Sequence, residues 1–315
     1  MSKEKESRRP ALFFAQAPLA VAIALLATPA LSQSLPTGTE SKAKEDIETV
    51  TVVGTRTERT LDEVEATISV YDRETIERQL ARDLQDLVRY EPGVSVGGTG
   101  SRFGLDGFTI RGVGGNRVLT MVDGIRMPEE FSFGPFLSAR RDFVDVDQVE
   151  RLEIARGPVS TLYGSDALGG VVAITTRAPN DFVSSADPTH LDLKTGYSSA
   201  DNSFIGTVNG AYGTDKLAAL VTYTYRDAEQ TETNGNNDGT GLARTAADPQ
   251  DIGTQTLNVK LGWQPAEGHQ LIAAVEDFDS TADTNLLSDA GVVTRGVLTT
   301  TRIAEDTRAR QRYSL

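Results

Sequence analysis

Residues 149–176 read VERLEIARGPVSTLYGSDALGGVVAITT, and this stretch decides the fold. Val149–Ala155 and Gly170–Thr176 are β-prone runs. Between them stand Arg156-Gly-Pro158, Tyr163-Gly164 and Gly169-Gly170, glycine punctuation of the kind that turns a chain sharply between strands. Working back toward the N-terminus, Phe108–Arg111 and Arg117–Val122 read as further strands. Ala66–Tyr71 reads as another, followed by Asp72 as the cap of a helix over Arg73–Leu80. A second helix is expected over Leu84–Tyr90, stopped by Glu91-Pro92-Gly93. The sum is a compact α+β domain.

Toward the C-terminus, from His190, the pattern changes to long alternating strands with no helical period. Leu217, Ala219, Val221, Tyr223 and Tyr225 share one face, and Leu257, Val259, Leu261 and Trp263 share another, opposite Thr256, Asn258, Lys260 and Gly262. Leu191, Leu193, Thr195 and Tyr197 alternate in the same way, as do Leu271, Ala273 and Val275. Strands near ten residues, apolar on one face and ending in aromatics, fit a membrane-spanning barrel that is apolar toward lipid and polar toward its lumen. Tight gaps at Gly213–Asp215 and Pro265–Gly268 alternate with long polar segments at Ala228–Gly253 and Asp279–Thr307, as periplasmic turns alternate with extracellular loops. Arg310, Arg312 and Ser314 begin another alternation. Five or six strands do not close a barrel, and an open edge in lipid leaves backbone groups unsatisfied. The chain therefore reads as the N-terminal part of a larger protein.

The 315 residues include 31 basic, 45 acidic and no cysteine. Residues 1–32 have the form of a secretory signal: Arg8-Arg9, an apolar run from Ala11 to Ala27, and small residues that allow cleavage after Ala30 or Ser32. The apolar run is shorter than the ~20 residues a spanning helix needs. Without the signal, 27 basic residues face 43 acidic ones, a net charge of −16. That balance argues against nucleic acid, which selects a basic footprint. Residues 33–56 form a polar leader ending in a β-prone string, Glu48-Thr49-Val50-Thr51-Val52-Val53.

In order along the chain, Asp83-Leu-Gln-Asp-Leu87, Pro92-Gly-Val94, Thr109-Ile-Arg-Gly112, Val122-Asp-Gly124, Val149-Glu-Arg-Leu-Glu-Ile154, Arg156-Gly-Pro158, Tyr163-Gly164 and Gly169-Gly-Val171 resemble the plug domain of TonB-dependent outer-membrane receptors. The resemblance covers residues 57–177 and implies a signal peptide at 1–32, a leader at 33–56, a plug at 57–177 and the first strands of the barrel at 178–315. It implies a place in the outer membrane of a Gram-negative bacterium, contact with outer-membrane lipid, and import of an extracellular iron complex. It implies also that Glu48–Val53 is the TonB box, pairing with the periplasmic coupling protein TonB. β-Augmentation suits that role, because main-chain hydrogen bonds supply the affinity. Arg111-Gly-Val-Gly-Gly-Asn-Arg-Val118, followed by Asp123-Gly-Ile-Arg126, looks most like the haem and haemoglobin receptor branch.

The resemblance implies roles for individual residues. Arg111 and Arg156 stand where the family carries arginines that lock the plug to barrel glutamates, a task suited to the bidentate, permanently charged guanidinium. A local pair with Glu150 or Glu153 is the alternative for them. The loops Gly97–Gly107 and Met127–Asp142 are expected to face outward. Arg102, Phe103, Phe131, Phe133, Phe136 and Arg140 are thereby candidates for stacking on and pairing with a planar anionic ligand. The alternative for the phenylalanines is packing against the barrel wall. No histidine lies between residues 57 and 177, which departs from the axial-ligand pattern of haem receptors.

Neither cofactor nor metal site is expected. Asn234–Gly239 has the start of a calcium loop but Thr245 stands where a bidentate glutamate is needed. Gly112-Val-Gly-Gly115 lacks the third glycine of a dinucleotide fingerprint. There is no ordered nucleophile–base constellation, so an enzyme is not expected. Beside import of haem, a siderophore receptor and a non-transporting fragment that binds TonB remain as alternatives.

Overall fold

The computed structural model describes residues 50–51, 59–60, 67–98, 100–134, 137–158, 163–266, 268–294 and 296–315. The signal, most of the leader, Glu48, Thr49, Val52, Val53 and Phe136 lie outside these. Strand β1 (Val50–Thr51) pairs antiparallel with β2 (Arg59–Thr60). Strand β3 (Thr67–Asp72) then leads into α1 (Arg73–Arg78), where Asp72 accepts from the Thr75 N–H at 2.9 Å, the expected cap. The helix ends before the expected Leu80, because Leu80 takes a left-handed φ of 51° and is exposed. Helix α2 (Leu84–Leu87), capped by Asp83, is likewise shorter than its sequence pattern.

Strands β4 (Val94–Val96) and β5 (Phe108–Ile110) form a small hairpin. Strands β6 (Val118–Val122) and β7 (Ile125–Arg126) follow, then the hairpin β8 (Phe131–Phe133) and β9 (Leu137–Ala139). The quoted stretch supplies β10 (Val149–Arg156) and β11 (Gly170–Thr176), which pair antiparallel. The resulting sheet has the order β3-β10-β11-β6-β7, with β11 parallel to β6 and β3 at one edge. Its core gathers Ile76, Leu84, Leu87, Phe108, Ile110, Leu152, Ile154 and Ile174, all buried. Gly170 is required where β11 begins: its φ is 151°, and a Cβ there would lie 2.4 Å from the Ala155 carbonyl oxygen.

Beyond this domain, β12 (Thr189–Ser198), β13 (Ser203–Gly213), β14 (Leu217–Glu229), β15 (Gln250–Ala266), β16 (His269–Asn285) and, after the small hairpin β17 (Val293–Thr294) and β18 (Val297–Leu298), β19 (Ile303–Ser314) complete the chain. Six of these make one antiparallel sheet, β12-β13-β14-β15-β16-β19, each neighbour paired to the next. The described sheet is open, with β12 and β19 as its ends. One face exposes Leu191, Leu193, Tyr212, Val221, Leu261, Trp263 and Tyr313, while Thr207, Asn209, Thr224, Asn258, Lys260, Glu276 and Ser280 are buried on the other.

This is the expected inverted pattern, but the strands run further. At 17 residues each, β15 and β16 exceed the ~9–11 that a tilted span needs. Polar alternation through Asp279, Thr281 and Asp283 continues the ladder to Asn285, so the loops narrow to 230–249 and 286–302. No helix of the described residues is long and apolar enough to cross a membrane.

Candidate functional site

The plug domain and the polar face of the wall meet along a seam of charged groups, and this seam is the candidate site. Strand β19 supplies four successive lumen-facing side chains, Asp306, Arg308, Arg310 and Arg312. Each reaches the plug. Asp306 pairs with Arg102, and Arg308 pairs with Asp142 at 2.6 Å. Arg310 contacts the Met127 sulfur at 2.8 Å and lies 5.3 Å from the Phe143 ring centroid, while Phe143 packs edge-on against Phe278. Arg312 donates to the Val122 carbonyl and to Asp123, each at 2.8 Å.

On the same polar face, at the β12–β13 end of the wall, Asp147 is almost fully buried and takes Lys194 together with the Thr207 hydroxyl at 3.1 Å. Asn258 donates to Gln148 at 3.2 Å. Burial pushes the neighbouring Asp145 carboxyl up, and Asp147 adds to the rise, against the opposing pull of Arg226. Asp123 shows the reverse outcome. Burial works to raise it, but Lys260, two hydrogen bonds from Thr176 and Arg312 outweigh burial and hold it below the ordinary aspartate value.

The residues that sequence reasoning named fall in several places. Arg156 pairs at 2.6 Å with Glu91, which belongs to the plug, and donates to Ser69 at 2.9 Å and the Pro92 carbonyl at 3.1 Å. Ser69 and Tyr71 of β3 also donate to Glu91. Burial first, and Glu91 second, drive the Tyr71 hydroxyl pKa upward. Glu150 and Glu153, the alternative partners, sit instead by Arg177 and Arg151. Arg111 is exposed with a left-handed φ of 50°, its N–H bonded to the Gly93 carbonyl at 2.7 Å, and it has no ion pair among the described residues. The contacts that tie the plug to the described wall strands mostly run from plug aspartates to wall cations.

Arg102, Phe103 and Arg140 do come together. The Arg102 guanidinium lies 4.2 Å over the Phe103 ring and that of Arg140 5.8 Å from it, with Arg140 paired to Asp106 at 3.0 Å. Arg102 and Phe103 line a cavity of about 640 Å³ whose other walls include Thr231, Asp248 and Arg302 from the long loops. Phe131 and Phe133 are 59% and 65% exposed on the β8–β9 hairpin and make no ring contact with that cluster. Val50 and Thr51 of the string pair with Thr60 and Arg59. Sequence reasoning missed Asp123, Asp142, Asp147 and Lys194 as seam residues. The alternation of Arg308, Arg310 and Arg312 was the available signal.

A model of the TonB-dependent receptor plug domain matches residues 60–171. The chain belongs to the TonB-dependent outer-membrane receptors. It is 32% identical over 92% of its length to a haemoglobin-haptoglobin utilization protein B of Neisseria meningitidis serogroup C, covering 39% of that protein. It is also 32% identical over 75% of its length to a probable haemoglobin and haemoglobin-haptoglobin-binding protein of Haemophilus influenzae, covering 25% of it. The chain thus spans a quarter to two fifths of the length of these relatives. In fold it is similar to FpvA of P. aeruginosa (TM-score 0.58, 15% identity, 82% of this chain and 32% of that one) and to the FrpB iron transporter of N. meningitidis (TM-score 0.56, 16% identity, 78% and 37%). The family places this chain in the outer membrane of a Gram-negative bacterium.

Proposed function

We propose that this chain is the plug-bearing part of an active importer of an iron complex, haem or haem drawn from haemoproteins. The observation that carries the reading is the seam itself: a folded plug seated by ionic contacts on the polar face of a membrane-type wall. A plug held that way blocks a lumen until force moves it. The names of the relatives at 32% identity direct the cargo toward haemoproteins. A siderophore complex is the second reading, favoured by the absence of histidine from residues 57–177.

Cargo meets the Arg102–Phe103–Arg140 cluster and the long loops, with Phe131 and Phe133 on the β8–β9 hairpin, and Phe136, as further candidates. The string Glu48–Val53 then pairs with TonB by strand addition. Pulling on it loads β3, the edge strand of the plug sheet. Arg156 clasps that strand to Glu91, and Arg111 is free to meet a carboxylate of the wall. The boundaries 1–32, 33–56, 57–177 and 178–315 stand as the proposed division into signal, leader, plug and barrel, and cargo passes without chemical change.

Deleting residues 48–53 is expected to abolish uptake of haem while leaving binding of haemoglobin at the cell surface intact. Uptake at the unaltered rate in that deletion would sink the proposal. Uptake of a ferric siderophore, with none from haem or haemoglobin, would move the reading to the second cargo.

A further inference from the structure

The two edges of the plug sheet are held differently. Strand β3 makes no hydrogen bond or ion pair to the six described wall strands; its side-chain partners, Glu91, Arg156 and the Thr75 N–H, belong to the plug. The opposite edge, β6–β7, turns through Asp123, and Asp123 is bound on both sides. Its carboxylate accepts from the Thr176 N–H and hydroxyl, each at 2.8 Å, which ties the turn to the end of β11. The same carboxylate accepts from Arg312 at 2.8 Å and lies 3.6 Å from the Lys260 ammonium.

The wall side of this junction is built and buried. The side chains of Lys260, Arg312 and Glu276 are 5%, 9% and 4% exposed. Glu276 accepts from Arg312 at 2.8 Å and also pairs with Arg310, and Lys260 reaches the Thr176 carbonyl at 3.0 Å. Three cations therefore share two carboxylates, one of them supplied by the plug. Removing that one leaves Lys260 without a carboxylate partner among the described residues and leaves Arg310 and Arg312 to share Glu276, the costly way to break such a network. Asp123 also holds a left-handed φ of 49°, which aspartate tolerates better than most residues.

We propose that Asp123 is the positioning residue that anchors the β6–β7 edge of the plug to the wall through Arg312 and Lys260, so that force on β3 opens the plug from the β3 edge and leaves the far edge seated. This rests on the transport reading above. The opening is a peeling of β3 from β10, not expulsion of the whole domain.

These 315 residues have no cysteine, so single thiols report cleanly once any cysteine elsewhere in the native product is replaced by serine. In the native product in energised cells, Val70→Cys on β3 and Met121→Cys on β6 are labelled with a thiol reagent, with and without TonB. The expected result is TonB-dependent labelling of the first and protection of the second. Adding Asp123→Asn to Met121→Cys is expected to raise its labelling by about tenfold, Asp123→Glu to restore protection, and Arg312→Met to act as Asp123→Asn does. Arg312 lies on the wall and contributes nothing to the plug's apolar core, so its substitution tests the anchor even if Asp123→Asn does not fold. Combining Asp123→Asn with Arg312→Met is expected to add little to either alone. Equal labelling at both positions in the otherwise unaltered chain overturns the anchor. So does unchanged protection of the β6 thiol in Arg312→Met. Labelling at β3 that ignores TonB overturns the transport reading instead, and the two failures are thereby separate.

Discussion

The plug and the wall use strand alternation in opposite senses. In the plug, Leu152, Ile154 and Ile174 point into a dry core, and charged groups of the same strands face outward or find specific partners. In the wall, Thr207, Thr222, Asn258, Lys260 and Glu276 are buried and Leu193, Val221, Leu261 and Trp263 are exposed. A soluble domain hides apolar surface from water, whereas a wall strand with lipid outside must hide its polar side chains. The seam is where the two solutions meet. Each side presents polar groups to the other, so ion pairs and hydrogen bonds join plug to wall beside apolar contacts such as Phe143 on Phe278. A contact of that kind is directional and can be broken without exposing a hydrophobic core.

The largest expected effect lies on the plug side. Ile154 is fully buried in β10, an interior strand of the sheet, and Ile154→Ala is expected to cost the plug about 2–5 kcal/mol through lost burial and the cavity left behind. The check is the urea midpoint at which the plug loses protection from protease in outer-membrane vesicles. An unchanged midpoint would mean that the wall, not the core, sets the plug's stability.

Next comes the wall. Val221 pairs with Val259, which pairs with Val275, in the outward apolar belt. Val221→Arg is expected to cost about 2–4 kcal/mol of folding into a bilayer. On the other face of the same strand Arg226 is native, near the buried Asp145. A tolerated Val221→Arg would place that belt outside lipid and break the comparison.

The smallest effect sharpens the local picture. Asp72→Ala removes the cap of α1 and is expected to cost about 1 kcal/mol. The Thr75 side chain and N–H hold the Asp72 carboxyl below its ordinary value of 3.8. A lowered carboxyl stabilises the fold above 3.8 and loses that share as pH falls through its folded value. The difference in urea midpoint between the parent chain and Asp72→Ala should therefore shrink in acid. A difference that grows there would exclude the cap as its source.

Much of this was legible along the chain. Asp72 is followed by a helix, Val149–Arg156 and Gly170–Thr176 are strands, and the outward belt runs through the residues whose alternation marked it. The helices and the long loops were read as longer than they are. Leu80 leaves the helical region in α1, and polar strand pairing continues past the apolar belt through Asp283. The apex cluster was legible only in part, for Arg102, Phe103 and Arg140 meet while Phe131 and Phe133 stand apart from them.

What the sequence determined by itself is what depends on near neighbours: strand period, turns at glycines, helix caps, and the face of each strand that is apolar. Alternation is a local property, and the ordered motifs of residues 57–177 carry the family with it. Which charges meet is not local. Asp123 lies 137 residues from Lys260 and 189 from Arg312, and Arg156 reaches Glu91 across 65 positions. Ion pairs form between whatever charges the packed sheets bring within about 4 Å, so only the tertiary structure could decide that plug aspartates meet wall cations along this seam.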